Sequence, residues 1–298
     1  MASRSEQPLF GGIEAGGTKF VLAVGHAPDR ILARHTLATT NPDDTLAAAG
    51  QWFAAQGPLV GLGIGCFGPV ELDPASPRWG FITSTPKPGW ADCDIAGRLG
   101  RVLACPVGFD TDVNGAALAE YSLGAGQGGG SLAYITVGTG IGGGLVVGGR
   151  PVHGAGHPEL GHIYPRRVAD DTDFTGICPF HGDCLEGLAS GPAILARWGK
   201  TLSDLPGDHP AHTYVSGYLA QLCHTTFASM AIETIVLGGG VMQTPGLRDA
   251  VRDRAFALGA GYLPGHSRQR IVAPGLGADA GICGALLLAR QAFEGASD

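Results

Sequence analysis

The chain has 298 residues, 44% hydrophobic and only 15% charged, with 51 glycines, seven cysteines and a net charge of −7. Such a composition supports one large or two medium globular domains and excludes a disordered chain, and the glycines lack the three-residue period of collagen. The acidic balance argues against a nucleic-acid partner held by charge, no apolar run reaches the roughly 18 residues of a membrane span, and an odd, scattered set of cysteines is not a disulfide framework. The opening stretch MASRSEQPLF carries no apolar core, so no secretory leader is expected and the chain reads as cytoplasmic.

In chain order, the segment FGGIEAGGTKFVLAVG at 10–25 reads as a β-hairpin turned by glycines. A helix is expected near 44–55, strands at 59–64 and 107–109, and a helix at 113–123. The run GAGQGGG at 124–130 is a flexible boundary. A second glycine hairpin, YITVGTGIGGGLVVGG, occupies 134–149; aligning Gly17 with Gly142 makes the two an internal repeat. Further on, a strand at 232–237 is flanked by helices near 214–230, 247–258 and 280–293. In the first of these helices Val215, Tyr218, Leu219 and Leu222 recur at helical spacing as one buried face. Strands alternating with helices place the chain in the α/β class. Its two lobes are expected at 1–123 plus about 280–298, and at 124–279.

Three glycine turns suit phosphate. In Gly16-Gly17-Thr18-Lys19 the backbone can approach an anion closely, Thr18 adds a hydroxyl and Lys19 a positive charge. The spacing is not that of a P-loop, because Lys19 follows the threonine. Gly138-Thr139-Gly140 leads into a strand rather than a helix, which argues against a dinucleotide fingerprint. Gly238-Gly239-Gly240 closes the strand at 232–237. Together the three favour nucleotide binding.

Cys178-x-x-His181-x-x-Cys184 sets three zinc ligands within seven residues, and His162, His153 and His157 are each available as a fourth. Four such ligands fill a tetrahedral Zn²⁺ and leave no position for water, so the site is expected to be structural, and a zinc hydrolase is disfavoured. Asp112 stands just before the helical run, where an N-cap aspartate belongs.

These motifs together resemble the ROK family of sugar kinases and repressors, and within it the bacterial zinc-containing fructokinases. The likeness runs over GGIEAGGTK, GIGCFGPV at 63–70, TSTPKPGW at 83–90, DTDVNGAALAE at 110–120, VGTGIGGG at 137–144, HGAGHPELGH at 153–162, CPFHGDCLEGLASGPA at 178–193 and LGGGVM at 237–242. It implies an actin-like (ribonuclease H-like) sugar kinase fold of two α/β lobes with the active site in the cleft between them. By the same resemblance, Gly16, Gly17, Thr18, Lys19, Gly138, Thr139 and Gly140 would hold the phosphates of Mg²⁺-bound ATP. Gly238, Gly239, Gly240, Val241 and Met242, with Pro192, would line the adenosine. Asp112 would be the catalytic base, while Thr111, Glu159, His162 and Glu186 would face the sugar. The family's E-x-G-H histidine is a zinc ligand, which singles out His162 beside Cys178, His181 and Cys184.

Many glucokinases of the family carry Asp at the position of Glu14 and Asn at that of Thr111. The first of these bears on the metal–phosphate geometry; by the same resemblance Thr111, the TPKPGW segment and the zinc-loop type favour D-fructose, phosphorylated on its 6-hydroxyl, over glucose, with mannose, glucose or an N-acetylated hexose as the alternative substrate. A sugar-sensing repressor is not expected, since only about ten residues precede the first turn and the chain is acidic. A homodimer is expected from the resemblance alone; no nucleic-acid or membrane partner is.

Overall fold

The computed structural model describes residues 7–168 and 170–296. The leader reading of the first six residues, and the extreme ends of the first lobe, lie outside them. The chain runs β1 (Phe10–Ala15), β2 (Lys19–Ala27), β3 (Arg30–Ala38), α1 (Pro42–Ala54), β4 (Gly61–Cys66), β5 (Phe81–Ile82), β6 (Cys93–Asp94), α2 (Ile95–Leu103), β7 (Val107–Thr111) and α3 (Asp112–Leu123). It continues with β8 (Ser131–Val137), β9 (Ile141–Val147), β10 (Arg150–Pro151), α4 (Leu185–Ala189), α5 (Gly191–Trp198), α6 (Pro210–Met230), β11 (Thr234–Gly238), α7 (Leu247–Gly259), β12 (Arg270–Val272) and α8 (Ala280–Gly295).

Two compact units result. Unit 1 comprises Met1–Ala119, Val152–His157 and Ala278–Asp298, and unit 2 comprises Glu120–Pro151 and Pro158–Gly277. Residues 152–157, which the sequence reading placed in the carboxy-terminal lobe, therefore cluster with unit 1. The reason lies in two histidines, whose partners are given below.

Each unit is built on a mixed five-stranded sheet, ordered β3-β2-β1-β4-β7 in unit 1 and β10-β9-β8-β11-β12 in unit 2. In both, the first three strands are antiparallel and the last two join in parallel. The expected repeat is thus a repeat of topology. Its register differs from the sequence alignment, because matching turn to turn sets Gly16–Lys19 against Gly138–Gly140, whereas Gly142 lies inside β9 opposite Thr136. A run of consecutive glycines offers several equivalent alignments, and only the strand pairing selects among them.

The sheet of unit 1 is buried on both faces, as its apolar strands β1 and β4 require. On one side Leu46, Ala49 and Phe53 of α1 and Ile95, Ala96 and Leu99 of α2 pack with Ile13, Leu22, Leu62 and Ile64. On the other, α8 brings Ile282, Ala285, Leu286 and Ala289 against Phe10 and Ala23. That helix lies so close that a Cβ on Gly63 of β4 would sit 1.8 Å from the Ala285 carbonyl oxygen. The predicted helical face in α6 is buried as expected, with Val215, Tyr218, Leu219 and Leu222 at most 1% exposed. Among the described residues no helix is long and apolar enough to cross a membrane.

Candidate functional site

In unit 1 the β1–β2 hairpin presents the first of the turns expected to hold phosphate. Gly16 N–H donates to the Lys19 carbonyl (2.9 Å), Thr39 N–H donates to the Thr18 carbonyl (2.9 Å), and the Thr39 hydroxyl donates to the Gly16 carbonyl (2.7 Å). Gly17, Thr18 and Lys19 are exposed. Glu14 is the penultimate residue of β1; burial pushes its carboxyl above the ordinary range, against the opposing pull of Lys19.

Asp112 begins α3 without capping it, which corrects the sequence reading. The cap is Thr111, whose hydroxyl oxygen accepts the Asn114 N–H at 3.0 Å, while Asp112 Oδ1 accepts the adjacent Val113 N–H at 2.9 Å. A threonine at the strand–helix junction reaches the third helical N–H, and the aspartate after it stays in the first turn, where the helix dipole favours its ionised form.

Next to it lies a network that sequence reasoning missed. Asp110, with its side chain 3% exposed, accepts the Thr111 N–H and the Asn114 amide, each at 2.7 Å, and pairs with His153 Nε2 at 2.9 Å. The hydrogen bond to Asp110 raises the His153 pKa. Four residues on, His157 Nε2 accepts the Val70 N–H at 3.2 Å. These two bonds explain why 152–157 joins unit 1, and they remove both histidines from the metal set. Their only sequence signal was the i, i+4 spacing, which does not name a partner.

In unit 2 the second turn is closed by Gly138 N–H donating to the Gly140 carbonyl, and Gly191 N–H donates to Gly138, both at 2.8 Å. Glu186 reaches this turn: its Oε2 accepts the Ile141 N–H at 2.9 Å, and a Cβ on Gly140 would lie 2.6 Å from the same oxygen. A cavity of about 600 Å³ opens beside it. Gly138, Thr139, Pro192, Gly240 and Val241 line it together with Leu202 and Thr244, which carried no motif. Met242 is instead buried at 2% exposure, and Gly238 ends β11 with its Cα close under Tyr134. Pro192 sits in the first turn of α5, whose cap is Ser190.

His162, Cys178, His181 and Cys184 converge, with one ligand atom from each lying within 4.8 Å of the others. His162 Nδ1 is 3.3 Å from His181 Nδ1, 3.6 Å from Cys184 Sγ and 3.9 Å from Cys178 Sγ. A tetrahedral Zn²⁺ with bonds of about 2.0–2.1 Å to nitrogen and about 2.3 Å to sulfur needs edges of about 3.3 and 3.6 Å, so the four groups fit that ion. The Cys178–Gly182 knuckle, with Gly182 in the left-handed region, turns His181 back onto Cys178. His162 Nε2 lies 3.9 Å from the Glu159 carboxylate, on the side of the ring away from the cluster.

The loop between Glu159 and Cys178 is anchored by Asp171, which is fully buried. It accepts from Arg197 and from the Tyr218 hydroxyl, both at 2.5 Å, and from Arg167 at 3.4 Å. Burial alone would raise its pKa, but these donors outweigh it and hold the carboxyl below the ordinary range. Glu120, also buried, accepts the N–H of Ala125 in the glycine run and those of Gly275 and Leu276 in the loop after β12, satisfying backbone outside the strands.

Compared with known proteins, residues 10–292 match the ROK family. The chain belongs to the ROK family. It is 44% identical to a fructokinase of Zymomonas mobilis, over 97% of this chain and 99% of that one. To a fructokinase of Pediococcus pentosaceus it is 40% identical, over 97% and 100%. Among solved structures, a ROK hexokinase from Thermus thermophilus superimposes with a TM-score of 0.79 at 28% identity, covering 96% of this chain and 99% of its own. A ROK family glucokinase from Streptomyces griseus, in complex with glucose and AMPPNP, gives 0.70 at 28% identity, covering 95% and 99%. The expected actin-like (ribonuclease H-like) α/β fold therefore holds for this ROK protein.

Proposed function

We propose that this chain is a fructokinase that transfers the γ-phosphoryl group of Mg-ATP to the 6-hydroxyl of D-fructose, giving fructose 6-phosphate and ADP. The observation that carries this reading is the near-full-length likeness to enzymes named fructokinase, in a chain that keeps two glycine turns at equivalent places in a repeated sheet and a carboxylate at the start of α3.

In this reading Asp112 accepts the proton of the 6-hydroxyl as that oxygen bonds to the γ-phosphorus and the bond to the ADP oxygen breaks. The transition state is loose, so the carboxylate mainly orients the oxygen and the proton moves late. The N–H groups of the turns at 16–19 and 138–140, other than those of Gly16 and Gly138 that the turns' own carbonyls take, would face the charge on the transferring group together with Lys19. Glu159, His162 and Glu186 bound the sugar subsite, with Thr111 shaping it from the α3 cap. The cavity beside Gly240 and Val241 takes the adenosine.

His162, Cys178, His181 and Cys184 would hold a structural Zn²⁺. When bound, the ion supplies a closed cross-link between the knuckle and the 160–162 turn, and its filled ligand set leaves the chemistry to the protein's own groups. The enzyme is read as a cytoplasmic homodimer, which sedimentation tests.

The deciding experiment measures ADP release with Mg-ATP over fructose, mannose, glucose and N-acetylated hexoses, and identifies the product by NMR. The expected result is the highest kcat/KM with fructose and a 6-phosphate product. Preference for another hexose would overturn the sugar assignment while leaving a hexose kinase.

A further inference from the structure

The segment TPKPGW, at 85–90 within TSTPKPGW, is by resemblance a mark of fructose preference. Its contacts lead elsewhere. Lys87 Nζ donates to the Thr39 carbonyl at 3.2 Å, and Trp90 Nε1 donates to the Thr40 carbonyl at 2.7 Å. Trp90 is fully buried against Phe20 and Phe67, so it fixes the height of the 39–40 backbone above the sheet. Thr39 in turn grips the first phosphate turn from both ends, through its N–H to the Thr18 carbonyl and its hydroxyl to the Gly16 carbonyl.

A turn that holds an anion must point its N–H groups at the anion and its carbonyl oxygens away, because the two dipole ends act with opposite sign at the same distance. Here the Gly16 and Thr18 carbonyls are tied back by one residue, and the Lys19 carbonyl is taken by Gly16 N–H. We propose that Lys87 and Thr39 are positioning residues for the first phosphate turn, so that the 83–90 segment sets affinity for the nucleotide rather than for the sugar. The inference rests on the reading that residues 16–19 hold ATP phosphates.

The test is steady-state kinetics of the full chain with Mg-ATP and fructose varied in turn. Lys87→Met keeps the side-chain length and loses the donor; Thr39→Val keeps the shape and loses the hydroxyl. The expected result for each is a rise of about tenfold in KM for ATP, the worth of one well-placed hydrogen bond, with KM for fructose within about twofold of wild type. Lys87→Arg, which can still donate, restores most of the affinity. An unchanged KM for ATP in Lys87→Met, or a rise in KM for fructose, overturns the proposal. Thr18→Ala separates the two levels. If it leaves KM for ATP unchanged, the phosphate-turn reading itself fails; if it raises KM while Lys87→Met does not, only the positioning role fails. Should Thr39→Val lower the melting temperature, the half-buried loop variant Lys87→Met decides alone.

Discussion

Glu186 accepts the Ile141 N–H at 2.9 Å, two residues after Cys184 of the metal cluster and at the closing residue of the second glycine turn. One short helix, α4, thus connects the Cys178–Cys184 knuckle proposed to hold zinc to a turn proposed to hold phosphate.

Metal removal should therefore act on the nucleotide as well as on the fold. Chelation, or Cys178→Ser, is expected to cost an equivalent of zinc by elemental analysis and to lower kcat/KM for ATP about 10- to 100-fold, the range for loss of a hydrogen bond to a charged group. Full activity in zinc-free protein would refute the connection.

Asp112→Asn keeps the shape at the start of α3 and removes the base. The expected effect is a fall of about 10²–10⁴-fold in kcat, with KM for fructose little changed. A variant that retains most of its kcat shows that Asp112 is not the base.

Thr111 caps α3, so Thr111→Ala should destabilise the protein by about 1 kcal/mol, read by urea unfolding, while Thr111→Ser should not. Stability equal to wild type in Thr111→Ala would show that the cap contributes nothing.

Breaking the buried Asp171 group with Asp171→Asn leaves Arg197 without its counter-charge and should cost about 3–5 kcal/mol. Because the Asp171 pKa is depressed in the folded protein, the charge contributes stability above the unfolded carboxylate range, and that contribution is lost as pH falls through the lower folded value. The difference between wild type and variant should accordingly shrink on acidification.

His153 works in the opposite sense. Its pKa is raised by Asp110, so the pair stabilises fully below the unfolded histidine value and the contribution fades as pH rises through the folded one. Wild type should lose stability relative to His153→Gln as the pH rises above the ordinary histidine value of about 6.5. A constant difference over that rise would show that the pair does not couple to folding.

Much of the site was legible before the structure, and for a physical reason. Gly16–Lys19, Gly138–Gly140 and the Cys178–Cys184 knuckle are local devices, in which turn chemistry and ligand spacing are written within a few residues. What stayed hidden is long-range. Asp110 meets His153 across 43 residues, and Arg34 forks onto Asp279 across 245, at 2.6 and 2.8 Å. No periodicity encodes such pairs. The Asp112 cap failed for a subtler reason, since Thr111 and Asp112 are both good cap residues and only the end of β7 decides which one serves. Edge strand β3 and helix α2 were missed because RILARHTLA is half polar and IAGRLGRVL carries two glycines.

The helix that completes unit 1, α8, is encoded after the whole of unit 2. Until Ile282, Ala285 and Leu286 leave the ribosome, the face of the first sheet carrying Phe10 and Ala23 has nothing to pack against. By then every residue of unit 2, Glu120–Pro151 and Pro158–Gly277, has already been made. The amino-terminal hairpin must therefore wait, partly uncovered, until the later-encoded unit has been made, and its sheet closes only when α8 follows.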